Sequence, residues 1–206
     1  MAGLARVACT AILVGSALTS CASLAPPPSL PSPATTVRPV TSIELGGRLS
    51  VRYQNNGKEE AVHGSFSWSQ RAGNTLVTLR SPLGQTLATI TIGPAESTLS
   101  QAGQPTRTAA DPDALATEAL GWPLPLAGLR DWLQGQATNV AGERVTASST
   151  STTPIVTNDG WQLQYVSWEA SDPALPARPK RIDLSRTTPQ AGDVGLRIVI
   201  DSWQPG

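Results

Sequence analysis

From residue 43 onward, apolar side chains recur at every second position. Leu45, Leu49, Val51 and Tyr53 alternate with polar neighbours, the pattern of a strand with one buried face. Asn55-Asn56-Gly57 is a turn signal, and Val62, Phe66 and Trp68 then alternate in a second strand. Leu76, Val77 and Leu79 predict a third strand, and Ala88, Ile90 and Ile92 a fourth. Short segments near 96–101 and 104–108 extend the meander. Late strands fall on Trp161, Leu163 and Tyr165, on Ile182 and Leu184, and on Leu196, Ile198 and Ile200. Consecutive antiparallel strands of this kind form one curved sheet or barrel.

The middle of the chain breaks the period. Asp111 is a good N-cap, Pro112 suits the first helical position and Gly121 suits the stop, which predicts a helix over 112–120. A second helix is expected over 126–134, ended by Gly135, with Leu126, Leu129, Leu133 and the nearby Trp132 as its apolar stripe. Residues 146–154, TASSTSTTP, read as a loop, and 172–179 carry no pattern that places a strand. A curved sheet with two short apolar helices inserted mid-chain suggests a sheet with a lid. The space beneath suits an apolar ligand.

The N-terminus speaks to location. Arg6 precedes an apolar stretch, Val7 to Leu18, which is shorter than the roughly 20 residues of a membrane span. It ends in Leu18-Thr19-Ser20-Cys21, which resembles the bacterial lipobox. That resemblance implies cleavage before Cys21, a diacylglyceryl group on its thiol and an acyl group on the new amine. The rival is an ordinary signal peptide followed by a chance cysteine. Residues 22–41 hold six Pro and one charge, Arg38, and read as a tether partly in polyproline II, reaching up to about 60 Å. A Pro-rich docking motif is the rival there. The expected layout is a signal peptide over 1–20, a lipidated Cys21 and tether over 21–42, and one domain over 43–206.

Composition narrows the chemistry. The 206 residues hold 15 Lys+Arg and 15 Asp+Glu, a balance that argues against a nucleic-acid partner. One His and two Cys cannot build a four-ligand zinc site, so no metal is expected. No GxSxG, P-loop or GxGxxG occurs. A carboxylate hydrolase using Glu143, Glu169 or Asp201 stays open. His63 reads as a structural strand residue, Arg130-Asp131 as a helix-surface pair, and Trp68, Trp161, Trp168 and Trp203 as sheet core. Pro82 and Gly84 make a turn that either projects Leu83 or tucks it under a hairpin.

Three segments carry a resemblance: Arg80-Ser81-Pro82-Leu83-Gly84-Gln85; Leu120-Gly121-Trp122-Pro123-Leu124-Pro125-Leu126, running on to Leu129-Arg130-Asp131-Trp132-Leu133-Gln134-Gly135; and Leu196-Arg197-Ile198-Val199-Ile200-Asp201-Ser202-Trp203. With the lipobox, the set resembles the outer-membrane lipoprotein LolB family. The resemblance implies an unclosed antiparallel β-barrel covered by a helical lid, mainly β with a few helices. It implies a non-enzymatic receptor that takes acylated lipoproteins from the periplasmic carrier LolA and inserts them into the outer membrane. Leu83, flanked by Pro82 and Gly84, would be the membrane-engaging tip. Leu120, Trp122, Leu124, Leu126, Leu129, Trp132 and Leu133 would line the acyl cavity as lid. Ala22 and Ser23 after the cysteine, in place of an Asp, point by the same resemblance to the outer membrane, with the domain facing the periplasm. No cofactor is expected beyond the lipid on Cys21, and a monomer working against outer-membrane phospholipid. The rivals are another lipid-binding lipoprotein, the hydrolase and a scaffold.

Overall fold

The computed structural model describes residues 42–170 and 177–205. The expected signal peptide, Cys21, the tether and most of the Pro-rich 172–179 stretch lie outside them. The chain opens with three long strands, β1 (Ser42–Asn55), β2 (Lys58–Arg71) and β3 (Asn74–Arg80), and continues through β4 (Thr86–Ile92), β5 (Ser97–Ser100) and β6 (Arg107–Ala109). Helices α1 (Pro112–Leu120) and α2 (Leu126–Trp132) follow, then a small hairpin, β7 (Gln136–Thr138) and β8 (Arg144–Thr146). The chain returns through β9 (Ile155–Val156), β10 (Gln162–Glu169), β11 (Arg178–Thr188) and β12 (Gly192–Pro205).

Ten strands make one antiparallel sheet in the order β6-β5-β4-β3-β2-β1-β12-β11-β10-β9. The last strand pairs with the first, so the meander runs full circle except between β6 and β9. These two edges do not pair, and the barrel is unclosed. The chain that connects them, residues 110–154, carries both helices and the β7–β8 hairpin. The fold belongs to a compact unit, Val37–Gly206, that holds its own core.

Local chemistry explains the sharp turns. Asn56 and Gly57 take φ of 52° and 77°, the left-handed pair that joins two strands with their natural twist. Alternation sorts the side chains as expected. Leu45, Leu49, Val51, Phe66, Trp68, Val77, Leu79, Ile182, Leu184, Leu196 and Ile198 point inward and are buried. Leu76 points outward and is exposed. Trp68 and Trp161 are core residues, whereas Trp168 and Trp203 are only partly buried. Trp203 instead lies beneath the Arg178 guanidinium, 5.4 Å from its ring centre.

Three expectations need correction. The second helix stops at Trp132, two residues early, because Gly135 turns the chain with φ 77° and donates its N–H to the Trp132 carbonyl. The β7–β8 hairpin was not anticipated. Its strands have three residues each, too few for a period of two to register. Thr146 belongs to β8, so the irregular loop begins one residue later, and Ile155–Val156 then adds a two-residue edge strand.

The β1–β12 register shifts between Gly46 and Gly47, where Asp201 of β12 is passed over in the pairing. A Cβ on Gly47 would lie 2.1 Å from the Val199 carbonyl and 2.8 Å from the Phe66 ring. Nothing there is a flexible side-chain end, so Gly47→Ala forces the β1–β12 pairing apart. The expected loss is about 1–3 kcal/mol of unfolding free energy, read from urea denaturation followed by tryptophan fluorescence. An unchanged midpoint would show that the strands yield without strain.

Candidate functional site: an apolar interior under a lid, and a projecting loop

The lid begins with a strong cap. Asp111 accepts hydrogen bonds from the N–H groups of Asp113 and Ala114, at 2.9 and 3.3 Å, and Gly121 ends α1 in the left-handed conformation. Asp113 then reaches across to the next helix and accepts the Ala127 N–H at 2.9 Å, which fixes α1 to the start of α2. Burial pushes the Asp113 carboxyl up to about 6, opposed by that hydrogen bond and reinforced by Asp111 and Asp159 nearby.

Trp122, Leu124, Leu126, Leu129, Trp132 and Leu133 are all buried, and Leu120 partly so. Leu124, Leu126, Leu129 and Leu133 face Leu49, Phe66, Trp68, Val77, Leu79, Leu196 and Ile198 of the sheet across a gap of about 20 Å³ lined only by apolar side chains. That is room for about one water, against the roughly 300–1,000 Å³ of sites that hold small ligands. The lid is therefore shut, and occupancy by a lipid chain requires it to move.

Polar contacts pin the lid at few points. The Tyr165 hydroxyl donates to the Trp132 carbonyl at 2.9 Å, a buried bond, and burial pushes its phenol far up. Trp132 also meets Trp161 edge to face, with ring centres 6.4 Å apart. Arg130 and Asp131 sit on the helix surface but do not pair with each other. Arg130 donates to the Gly73 carbonyl at 3.2 Å, and Asp131 accepts from Arg144 at 3.0 Å. Exposed pairs of this kind contribute about 0–1 kcal/mol. The lid is held chiefly by apolar burial, which is not directional.

The loop after β3 closes on itself. Ser81 N–H donates to the Gln85 carbonyl at 2.8 Å, and Gly84 N–H donates to the Ser81 carbonyl at 2.9 Å with φ 83° at Gly84. Pro82 and Leu83 stand at its tip. Leu83 is 88 % exposed, so it is not tucked beneath the hairpin. His63 is on β2 as expected, but exposed on the outer face.

The carboxylates considered for hydrolysis stand exposed on separate elements. Glu143 accepts from the Asn139 amide, Glu169 from Lys180 and Asp201 from Arg48. Among the described residues no group of His, Cys, Asp and Glu is placed to hold a metal.

What this geometry defines is a lid-covered half-barrel with an apolar interior. The family profile of outer membrane lipoprotein LolB matches residues 41–203. An outer-membrane lipoprotein LolB of Cupriavidus necator is 39% identical over 188 residues, covering 91% of each chain. That of Cupriavidus taiwanensis is 38% identical over 203 residues, covering 97% of this chain and 98% of its own. Among solved structures, a LolA superfamily protein from Nitrosomonas europaea superposes over 82% of this chain and 88% of that one, with a TM-score of 0.43 and 9% identity. The chain belongs to the outer membrane lipoprotein LolB family. It is an outer-membrane lipoprotein, and among its described residues no helix is long and apolar enough to cross a membrane.

Sequence reasoning did not single out Gly128 or Asp113, and read Tyr165 only as a strand residue. Gly128 sits inside α2, where an alanine normally stabilises by about 1 kcal/mol. Here a Cβ would lie 2.3 Å from the Trp132 ring. Gly128→Ala is expected to reverse the usual sign, lowering the urea midpoint and displacing Trp132, visible as a change in near-UV circular dichroism. A raised midpoint would mean that the ring moves freely.

Asp113 gives a pH prediction. Its folded pKa is raised above the ordinary 3.8 to about 6, so the native state holds more protons than the unfolded chain between those values. The stability it contributes is full below pH 3.8 and is lost as pH rises through 6. Asp113→Asn keeps an acceptor for Ala127 and removes the charge. Relative to wild type, the variant is expected to gain stability between pH 4.5 and pH 7.5 in paired urea titrations. A constant difference across that range contradicts the assignment.

Proposed function

We propose that this protein receives acylated lipoproteins from a LolA-type periplasmic carrier and inserts them into the outer membrane. The observation that carries this reading is the pairing of an apolar floor with an apolar lid, beside a loop that exposes one leucine. A triacylated cysteine exposes too much apolar area to cross water unshielded. The space between lid and floor supplies the shield once the lid swings out. Lid and acyl chain make the same kind of contact with the floor, so one replaces the other at small net change. No nucleotide and no catalytic residue enter the scheme.

In this reading Cys21 carries diacylglyceryl and N-acyl chains and anchors the chain, each buried CH₂ contributing about 0.8 kcal/mol. The domain works as a monomer on the periplasmic side at the end of its tether. The lid residues Trp122, Leu124, Leu126, Leu129, Trp132 and Leu133, with Leu120 at the margin, touch the cargo's acyl chains. Leu83 dips into the outer-membrane phospholipid during delivery, and Pro82 and Gly84 hold it outward.

The test is transfer of a labelled lipoprotein from a purified LolA-type carrier to residues 37–206, then onward to liposomes. Wild type is expected to relieve the carrier and load the liposomes. Leu83→Glu is expected to relieve the carrier equally well but to deliver at least about tenfold less cargo. If no cargo leaves the carrier for either protein, the receptor reading fails and a different lipid-binding or scaffolding role replaces it.

A further inference from the structure

The face of the sheet that points away from the lid is not inert. Register places Ser50 opposite His63 on β2 and opposite Arg197 on β12, and it places Arg48 opposite Ser65 and Val199. These residues line a groove of about 540 Å³, whose wall is completed by Ser81, Pro82 and Gly84 of the projecting loop. This groove is within the range of ligand sites, unlike the gap under the lid. Arg80, opposite Ser65, and Arg52, two residues beyond Ser50 along β1, flank it.

Charge is segregated here. The chain as a whole is neutral, yet Arg48, Arg52, Arg80, Arg181 and Arg197 all stand on this outer face. Asp201 accepts from Arg48 at 2.9 Å, and Asp183 is shared between Arg181 and Arg197. Among the described residues Arg52 and Arg80 have no ionic partner, so the groove and its flanks keep a positive surplus, while Glu44, Glu59 and Asp193 of the same face stand toward the strand ends. Arg48 and Arg197 have side chains 67% and 54% exposed, and each guanidinium has further N–H groups beyond those used on its aspartate.

We propose that this outer groove binds the phosphate of a bilayer phospholipid headgroup while Leu83 is in the membrane. The proposal rests on the reading of Leu83 as the membrane-engaging tip. Its occupant follows from position. The groove starts at Pro82 and Gly84, one residue from Leu83 on either side, a reach of about 3.8 Å. With Leu83 in hydrocarbon, the groove lies at the depth of the headgroup layer, roughly 5–8 Å thick on each side of the bilayer. Arginine forks, the Ser50, Ser65 and Ser81 hydroxyls and the His63 ring are the donors that a phosphate takes. Leu87, at the start of β4 and 41% exposed, adds apolar surface beside the same loop. The headgroup contact would orient the domain so that the loop meets the bilayer edge on rather than by chance.

The experiment measures binding of residues 37–206, which carry no lipid anchor, to phosphatidylethanolamine–phosphatidylglycerol vesicles by co-sedimentation. It compares wild type, the double variant Arg48→Gln/Arg197→Gln, and Arg71→Gln as a control. Arg71 is also ion-paired and exposed, but sits at the far end of β2. Each groove arginine is expected to matter about fivefold, so the double variant should bind at least about tenfold more weakly, with Arg71→Gln near wild type. Titration with dissolved short-chain phosphatidylglycerol should shift the Nε–H signals of Arg48 and Arg197 in NMR spectra. Equal vesicle binding by double variant and wild type overturns the proposal. So does an equal loss in Arg71→Gln, which would make the effect one of general charge. Saturating shifts from inorganic phosphate at the same concentration as lipid would assign a soluble phosphate and also overturn it. Carrier relief measured on the same proteins keeps the two readings apart. A double variant that takes cargo normally but binds vesicles poorly supports the groove. A wild type that takes no cargo defeats the receptor reading, whatever the vesicles show.

Discussion

An apolar sheet face that must be covered in water, and that the proposed role uncovers for use, sets the terms for the rest of this molecule. Hydrophobic burial is strong and non-directional, so a cover held by it can be replaced by anything apolar of suitable shape. The lid meets that condition. Leu124, Leu126, Leu129 and Leu133 form its contact with the floor, and polar atoms stay at the margins. The Tyr165–Trp132 bond pins its end near β10, and the Asp113–Ala127 bond ties the two helices to each other. Had the floor been polar, water would satisfy it on opening, and an acyl chain covering it would leave its donors and acceptors unpaired.

The parts of this design that local forces determine were legible in the residues. Strand alternation and the Asp111, Pro112 and Gly121 signals placed most strands and bounded α1 as the structure has it. The parts that distant contacts determine were not. Gly128 is required by a tryptophan ring folding back over its own helix, and nothing in the local sequence marks it. Arg130 and Asp131 looked like a pair because they are adjacent, yet Gly73 and Arg144 hold them from elsewhere in the fold. The β7–β8 strands are too short to impose a period. Leu83 falls between these cases: Pro82 and Gly84 signalled a turn, but only the fold decides whether its tip is free or covered.

The outer face shows how an average conceals a pattern. A neutral total charge is what first argued against an anionic partner of the nucleic-acid kind. The arginines nevertheless come from β1, β3, β11 and β12, segments scattered along the chain, and meet because the sheet closes its last strand on its first. One sheet thus has two chemistries, an apolar inner face and an arginine-bearing outer one. A phospholipid offers a counterpart to each, joined end to end.

In the proposed role, a receptor that stays shut when empty holds its cargo loosely. Entry of an acyl chain requires loss of the lid's own contacts with Leu49, Phe66, Trp68, Val77 and Leu79. The net affinity is the difference between two similar apolar burials, so it stays small even though each burial is large. A bilayer imposes no such exchange, and each CH₂ entering it gains about 0.8 kcal/mol with no lid to displace. Self-closure therefore does two things with one set of side chains. It keeps the empty domain from exposing apolar surface to water, and in the proposed role it would bias a loaded domain toward release. A permanently open cavity of the same composition would hold an acyl chain more tightly and give it up less readily, which is the wrong balance for the proposed delivery role.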